Sequence, residues 1–473
     1  MEVSMSEYKS KSYQFKNVWA SIDDEKKETI FEFAQGYKQF LDSGKTERES
    51  AREIVRLARA KGFESLEDYI RDQRAVVAGT KLYTVNRDKS VILFVVGQQP
   101  LEKGMRIVGG HIDVPRIDLK PFPLYEDGEL ALFKTHYYGG IKKYQWTSMP
   151  LSLHGRIVKR GGEVVDISIG EDEEDPVFFI TDLLPHLAKD QMAKTLGEGI
   201  TGEGLNVLIG SIPISDEGAK EKVKEAMLVH LSNAYGICEE DFVTAEIEIV
   251  PAGKARDVGF DRSMISAYGH DDRVCSYAGV AAIFDVEIPE FTSVGMFMDK
   301  EEVGSQGNTG SESVYFENCV AELLALQGVQ NTDLSLRRAF HNTKVLSADV
   351  TAAFDPNYPE VLDKRNAARI NYGICFSKYT GVRGKGGCSD ANAEFIAYVR
   401  DVFETNDVIW QSGELGKVDQ GGGGTIAYIL ANRGAEVLDC GVPVLSMHGP
   451  YEVISKADLF MTYKGYYAFF VSN

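Results

Sequence analysis

The chain has 473 residues, too many for one small domain and enough to bury a large core, so two or three domains are expected. Its 51 Lys and Arg against 71 Asp and Glu give a formal net charge of −20, which disfavours nucleic acid and anionic membranes as partners. Six cysteines without a CxxC pair indicate neither a disulfide framework nor a thiolate zinc site. The opening MEVSMSEYKSKSYQFKNVW has no apolar signal core, and no apolar run is long enough to span a bilayer, so a soluble cytoplasmic protein is expected.

After this polar leader, Ile30, Phe33, Ala34, Tyr37 and Leu41 recur at the three-to-four spacing of an amphipathic helix over Asp23 to Leu41. Thr46 and Glu49 form a capping box that opens a second helix, with an Ile54, Leu57, Ala58 stripe ending at Gly62. KLYTV, an NRDK turn and VILFVV predict a hairpin, and MRIVGG a third strand leading into His111. From about Pro115 to Pro251 short strand-like runs (KPFPLY, ALFKTH, LSLHGRIV, VVDISIG) surround an aromatic stretch, HYYGGIKKYQW, and predict an inserted, mostly β domain. Within it, Gly197, Gly199 and Gly202 satisfy GxGxxG, but the preceding HLAKDQMAKTL looks helical, whereas a dinucleotide fingerprint needs a strand there. A helix from about Asp216 to Ser232 and a strand, FVTAEIEIV, close the insertion. From about Arg256 strands and helices alternate, which predicts an α/β sheet covered by helices on both faces. The expected division is 1–115, 116–254 and 255–473, the first and last parts forming one unit.

Chemistry concentrates where apolar runs end. SVGMFM runs into Glu301 and Glu302, and an alternation of side-chain direction near a strand end would let one carboxylate hold a metal while the other handles a proton. His111 and Asp113 follow MRIVGG, and at spacing i, i+2 the acid can accept the second imidazole N–H. Asp271 and Asp272 in GHDDR form a second acid pair. Asp349 in LSAD precedes a helix-like segment, with an N-cap as its alternative role, and His448 sits in SMHGP. Two histidines and several carboxylates without cysteine make a hard, oxygen-rich set suited to two divalent ions sharing a carboxylate. There is no HExxH, GxSxG or Walker A motif to support a rival chemistry.

The ordered motifs HIDVPR, HDDRVCSYAG, DKEEVGSQG, SADVTAAFDPNY and LSMH resemble those of the aspartyl aminopeptidase and vacuolar aminopeptidase I family of co-catalytic zinc peptidases, over nearly the whole chain. The resemblance implies an α/β peptidase domain on a mixed sheet, a butterfly-like inserted domain serving as lid and oligomerisation unit, and a homododecamer. It implies that His111 and Asp349 hold one ion, Glu302 and His448 the other, and Asp271 bridges them. Glu301 is then the general base, Asp113 orients His111, and the Asp271–Asp272 peptide is cis. The ions are zinc, with cobalt or manganese also suited to such ligands. The substrates are peptides with a free N-terminus.

Two departures from the aspartyl branch bear on specificity: HGPYE follows where HSxxE is usual, and PHLAKD keeps His186 but places Asp190 where PHLAxH has its second histidine. His186 is therefore the candidate to reach a neighbouring subunit's site, and a neutral first residue is as well supported as an acidic one. Arg383 and Lys385, in RGKGGCSD, are candidate contacts for an acidic residue. Outside this family, a di-metal deacylase acting on small N-acyl compounds and a non-catalytic assembly protein are the alternatives.

Overall fold

The hairpin forms as expected, with Lys81–Asn86 antiparallel to Ser90–Val95. In the computed structural model, which describes residues 13–216 and 218–473, it is part of a nine-stranded mixed sheet. The first twelve residues of the polar leader, and Glu217 in the segment expected to be helical from Asp216, lie outside the described residues. At the centre of the sheet Thr292–Met298, Met105–His111 and Lys344–Ser347 lie side by side and parallel, so their C-terminal ends open on the same edge. These strands are buried on both faces, and their side chains alternate between two cores. Val91, Leu93, Val95 and Val108 face one, formed with Tyr37, Ile54, Val274, Phe403 and Tyr466 from helices. Ile92, Phe94, Met105 and Ile107 face the other, with Phe316, Val320 and Phe340.

The first helix runs Asp24–Ser43 and buries Ile30, Ala34, Tyr37 and Leu41. The second, Glu47–Ala60, opens on the expected capping box, Thr46 accepting from the Glu49 N–H and Glu49 from the Thr46 N–H, each at 3.2 Å. A separate five-stranded sheet pairs Met264–Ala267 with Glu452–Ser455, and Glu452–Ser455 with Pro443–Leu445.

Between His111 and Met264 the chain leaves to build a second, seven-stranded sheet from Arg116–Asp127 to Ala245–Pro251. Its last strand pairs with both Arg116–Asp127 and Pro150–Val158, so the sheet closes on itself around Trp146, Ile117, Leu151 and Ile249. Closure pairs off the edges of the ring strands, and Val164–Ile169, joined only to Pro150–Val158, stays outside the ring. Three expectations shift here. The helix runs Lys222–Tyr235, and FVT belongs to a six-residue 3-10 segment, Glu239–Thr244, ahead of the strand. HLAKDQMAKTL gives only single turns, Pro185–Leu187, Lys189–Met192 and Leu196–Gly199, because Leu187, Met192 and Leu196 are exposed and find no apolar surface among the described residues to pack on.

A buried ion cluster fastens the inserted sheet to the second helix. Arg116 contacts Asp118 at 2.8 Å, Glu248 at 3.1 Å and Glu47 at 3.5 Å. Against burial, Arg116 and Lys89 hold Glu47 down at about 2, while burial, with Glu47 beside it, pushes Glu248 well up. Removing the cation leaves buried acids uncompensated, so Arg116→Met is expected to lower stability by about 3–5 kcal/mol. Urea unfolding measures this, and a loss below about 1 kcal/mol would show that the cluster is not what fastens the two units.

Candidate active site

The parallel strand ends and the small sheet converge on one cleft of about 470 Å³. His111 ends its strand, and Met298 in the neighbouring strand is paired with it. The chain beyond Met298 turns through Lys300, at φ 68°, into a single 3-10 turn, Glu301–Val303. The two glutamates therefore diverge because of that turn and not, as expected, through strand alternation. Asp349 follows the third strand and is succeeded by a short strand, Thr351–Ala352, not by the helix-like segment expected. Asp271 follows Met264–Ala267, and His448 lies between Pro443–Leu445 and Glu452–Ser455. The Asp271–Asp272 peptide is cis. Gly110 lets these layers meet, since a Cβ there would lie 2.5 Å from Asp272 Oδ2 and 2.9 Å from the Ala348 carbonyl.

Asp271 stands between the two histidines. Its Oδ1 lies 3.3 Å from His111 Nε2 and its Oδ2 3.2 Å from His448 Nε2. Glu302 Oε2 lies 3.6 Å from His448 Nε2, and Glu301 Oε2 3.9 Å from His111 Nε2. Donor atoms of His111, Asp271 and Asp349 fall within 4.8 Å of one another, as do those of Asp271, Glu302 and His448. Both imidazoles are turned the same way. His111 Nδ1 meets the Asp113 carbonyl and His448 Nδ1 the Gly140 carbonyl, each at 2.9 Å. A carbonyl only accepts, so each Nδ1 carries a proton and each Nε2 faces the carboxylates.

Asp113 does more than the i, i+2 spacing indicated. Its carboxylate lies 3.3 Å from His111 Nδ1 and accepts from the Glu301 N–H at 3.1 Å, the Glu302 N–H at 3.2 Å and the Tyr138 hydroxyl at 2.7 Å. Glu452, present in HGPYE but given no role by the sequence, accepts from the Asp271 N–H at 2.9 Å and the His448 N–H at 2.7 Å. Its HxxxE spacing is the signal that would have found it. Arg383 and Lys385 line a different, smaller cavity of about 220 Å³, and Lys385 pairs with Asp390 at 2.8 Å. His186 is exposed on its single turn and does not line the cleft.

The sequence of residues 40–470 matches the family model for aminopeptidase I zinc metalloproteases, M18. The chain is 51% identical over 456 residues to a probable M18 family aminopeptidase 1 of Clostridium acetobutylicum, covering 96% of this chain and 98% of the relative. It is also similar to the crystal structure of an M18 family aminopeptidase from Thermotoga maritima, with a TM-score of 0.92 and 46% identity over 97% of this chain and 99% of that one. The chain belongs to the M18 family. The fold likeness extends to the mApe1 dodecamer of S. cerevisiae, at a TM-score of 0.74 and 23% identity over 92% of this chain and 96% of that one. This M18 chain is thus a zinc metalloaminopeptidase, a hydrolase acting on peptide bonds.

The residues of the M18 cleft fit metal ions. Donors 2.0–2.1 Å from a tetrahedral zinc stand about 3.3 Å apart, close to the separations Asp271 makes with the two histidines. Glu302 Oε1 is buried without a hydrogen-bond partner, an arrangement that a cation satisfies. The charge balance says the same. Burial, with Asp113 and Asp271 nearby, pushes Glu301 up to about 7. Burial and Asp271 push Glu302 well up and Glu452 to about 8, and loss of solvent with Glu301 beside it raises Asp349. Although burial opposes charge on both histidines, Asp271 and its neighbours hold His111 well up and His448 at about 10, and the histidines in turn hold Asp271 well down. So many acids crowded in a dry site keep protons unless cations replace them.

These protons make the metal-free protein pH-sensitive. Glu301 and Glu452 ordinarily lose theirs near 4.5, so between about 4.5 and 8 the folded state binds more protons than the unfolded one and stability falls as pH rises. His448 adds a loss of the same sign from its ordinary 6.5 up to about 10. Chelated protein is expected to melt at a lower temperature at pH 8 than at pH 5.5, and restoring zinc to remove most of that difference. Equal melting temperatures for chelated protein at the two pH values would contradict these assignments.

Proposed function

We propose that the protein removes the first residue of peptides with a free N-terminus, using two divalent ions, zinc or alternatively cobalt or manganese, shared between His111 with Asp349 and Glu302 with His448. The observation that carries this reading is Asp271, whose two oxygens are divided between the two histidines. Bound there, such ions supply Lewis acidity at the scissile carbonyl and acidify water. Glu301 takes the proton of the attacking water on its carboxylate and returns it to the leaving amine. Asp113 holds His111, and the acid-rich floor of the cleft receives the free α-ammonium group. An N-acetylated peptide is therefore expected not to be cleaved, whereas a deacylase would require the acyl group.

The two glutamates separate by role. Glu301→Gln keeps its shape and loses only the proton acceptor, so turnover is expected to fall by about 10² to 10⁴-fold with metal content and KM nearly unchanged. Glu302→Gln is expected to lower metal content and activity together. Bound metal and turnover measured on each variant decide the matter. Near-normal turnover in Glu301→Gln would refute its role, and metal loss confined to that variant would reverse the pair.

A neutral first residue is favoured. Val350, Leu415 and Met447 line the cleft, Asp439 is buried at its wall, and among the described residues no Lys or Arg lines it. Arg383 and Lys385 act at most from the adjoining cavity, which shares Thr380 and Leu415 with the cleft. With Lys385→Ala the ratio of Glu to Leu aminoacyl substrate rates is expected to stay within about twofold, since a solvated charge contributes little. A large drop in that ratio would place Lys385 in the pocket.

Residues 1–115 and 255–473 form the catalytic unit in this reading, and 116–254 the lid and oligomerisation unit. The exposed Leu183, Leu184, Leu187, Met192 and Leu196 support burial against another copy, and the assembly proposed is a homododecamer in the cytoplasm. His186 lies within that stretch and is the residue offered to a neighbouring site.

A further inference from the structure

We propose that Tyr138–Gly140, in the HYYGG stretch of the inserted sheet, is a strap that positions both halves of the metal centre. The proposal rests on the two-ion reading above. The strand Leu130–Tyr138 ends beside Asp113, and the strap makes one hydrogen bond to each half. The Tyr138 hydroxyl donates to Asp113 Oδ2 at 2.7 Å, and that carboxylate lies 3.3 Å from His111 Nδ1, whose ring the carbonyl of the same residue holds, and accepts from the backbone of Glu301 and Glu302. Two residues on, the Gly140 carbonyl accepts from His448 Nδ1 at 2.9 Å and so keeps Nε2 turned toward Asp271. None of the ligands belongs to the inserted sheet, yet the ring orientation of one histidine and the anchor of the other come from it.

Packing accounts for glycine at 140 and the left-handed backbone for glycine at 139. A Cβ on Gly140 would stand 3.1 Å from His448 Nδ1, and one on Gly139, at φ +72°, would stand 3.4 Å from Glu302 Cβ and from Pro115. The tyrosine is held from behind, with the Arg116 guanidinium 3.9 Å from its ring centre. Arg116 is itself clamped by Glu248 and Glu47. Movement of the inserted sheet would thus be felt at the metal ligands through two hydrogen bonds. Tyr138 and Gly140 are positioning residues, acting through Asp113 and His448.

Cobalt(II) titration of chelated protein, followed by its visible ligand-field bands, tests this without relying on activity. Tyr138→Phe keeps the ring and removes only the donor. It is expected to weaken cobalt binding by about 10–100-fold, shift the bands, and lower kcat more than KM, while chelated protein melts as wild type does. Gly140→Ala, which crowds His448, is expected to weaken cobalt binding as well. Tyr137→Phe, next to the strap on an exposed ring, is expected to match wild type. Wild-type cobalt affinity and bands in Tyr138→Phe would overturn the strap alone, as would a melting temperature of the chelated variant several degrees lower, which would mark a general structural role. Wild-type protein that takes up no cobalt would overturn the metal-centre reading itself, and the strap with it.

Discussion

Asp271 gives one carboxylate oxygen to the side of His111 and the other to the side of His448, and the layout of the molecule follows from holding it there. His111 belongs to the large sheet and His448 to the small one, so the carboxylate lies at the seam between two layers. Glu452 secures it from the small sheet through the Asp271 N–H, and the absence of a side chain at Gly110 lets the neighbouring Asp272 approach the strand that carries His111. A buried acid between two imidazoles is stable only with its charge compensated, which ties the geometry of the seam to cation binding.

The inserted sheet is part of this arrangement. Its first strand begins five residues after His111 and three after Asp113, and the buried Arg116 cluster fixes that exit against the second helix. The capping glutamate of the same helix, Glu49, also reaches His154 in the insert at 2.8 Å. The cap that starts the second helix is thereby also a contact to the seven-stranded sheet beside it. Stability and site geometry share these residues.

Much of this organisation is legible in the chain. Hydrophobic alternation and runs locate the central strands, because strands buried on both faces must be apolar throughout, and the residues that leave those runs necessarily gather at one sheet edge. That is why His111, Glu301, Glu302 and Asp349 attract notice in the chain, while Asp271 and His448 stand out after the shorter runs that build the small sheet. Local direction is less legible. Lys300 adopts a left-handed conformation that no periodicity announces, and it aims the two glutamates. Long-range partners are not legible at all. Gly140 and His448 are separated by 308 positions, and nothing in HYYGG shows which ring its carbonyl meets. The single turns at 185–199 mislead for a related reason, since Leu187, Met192 and Leu196 stay exposed among the described residues.

The most direct test of the central claim is the metal stoichiometry of purified protein and of Asp271→Asn, measured by elemental analysis after equilibration with zinc. A shared carboxylate requires two ions per wild-type chain and loss of both together in the variant, with the chelated forms of each folded alike. One ion per wild-type chain, or an Asp271→Asn protein that keeps its full metal content, would contradict a centre built around Asp271.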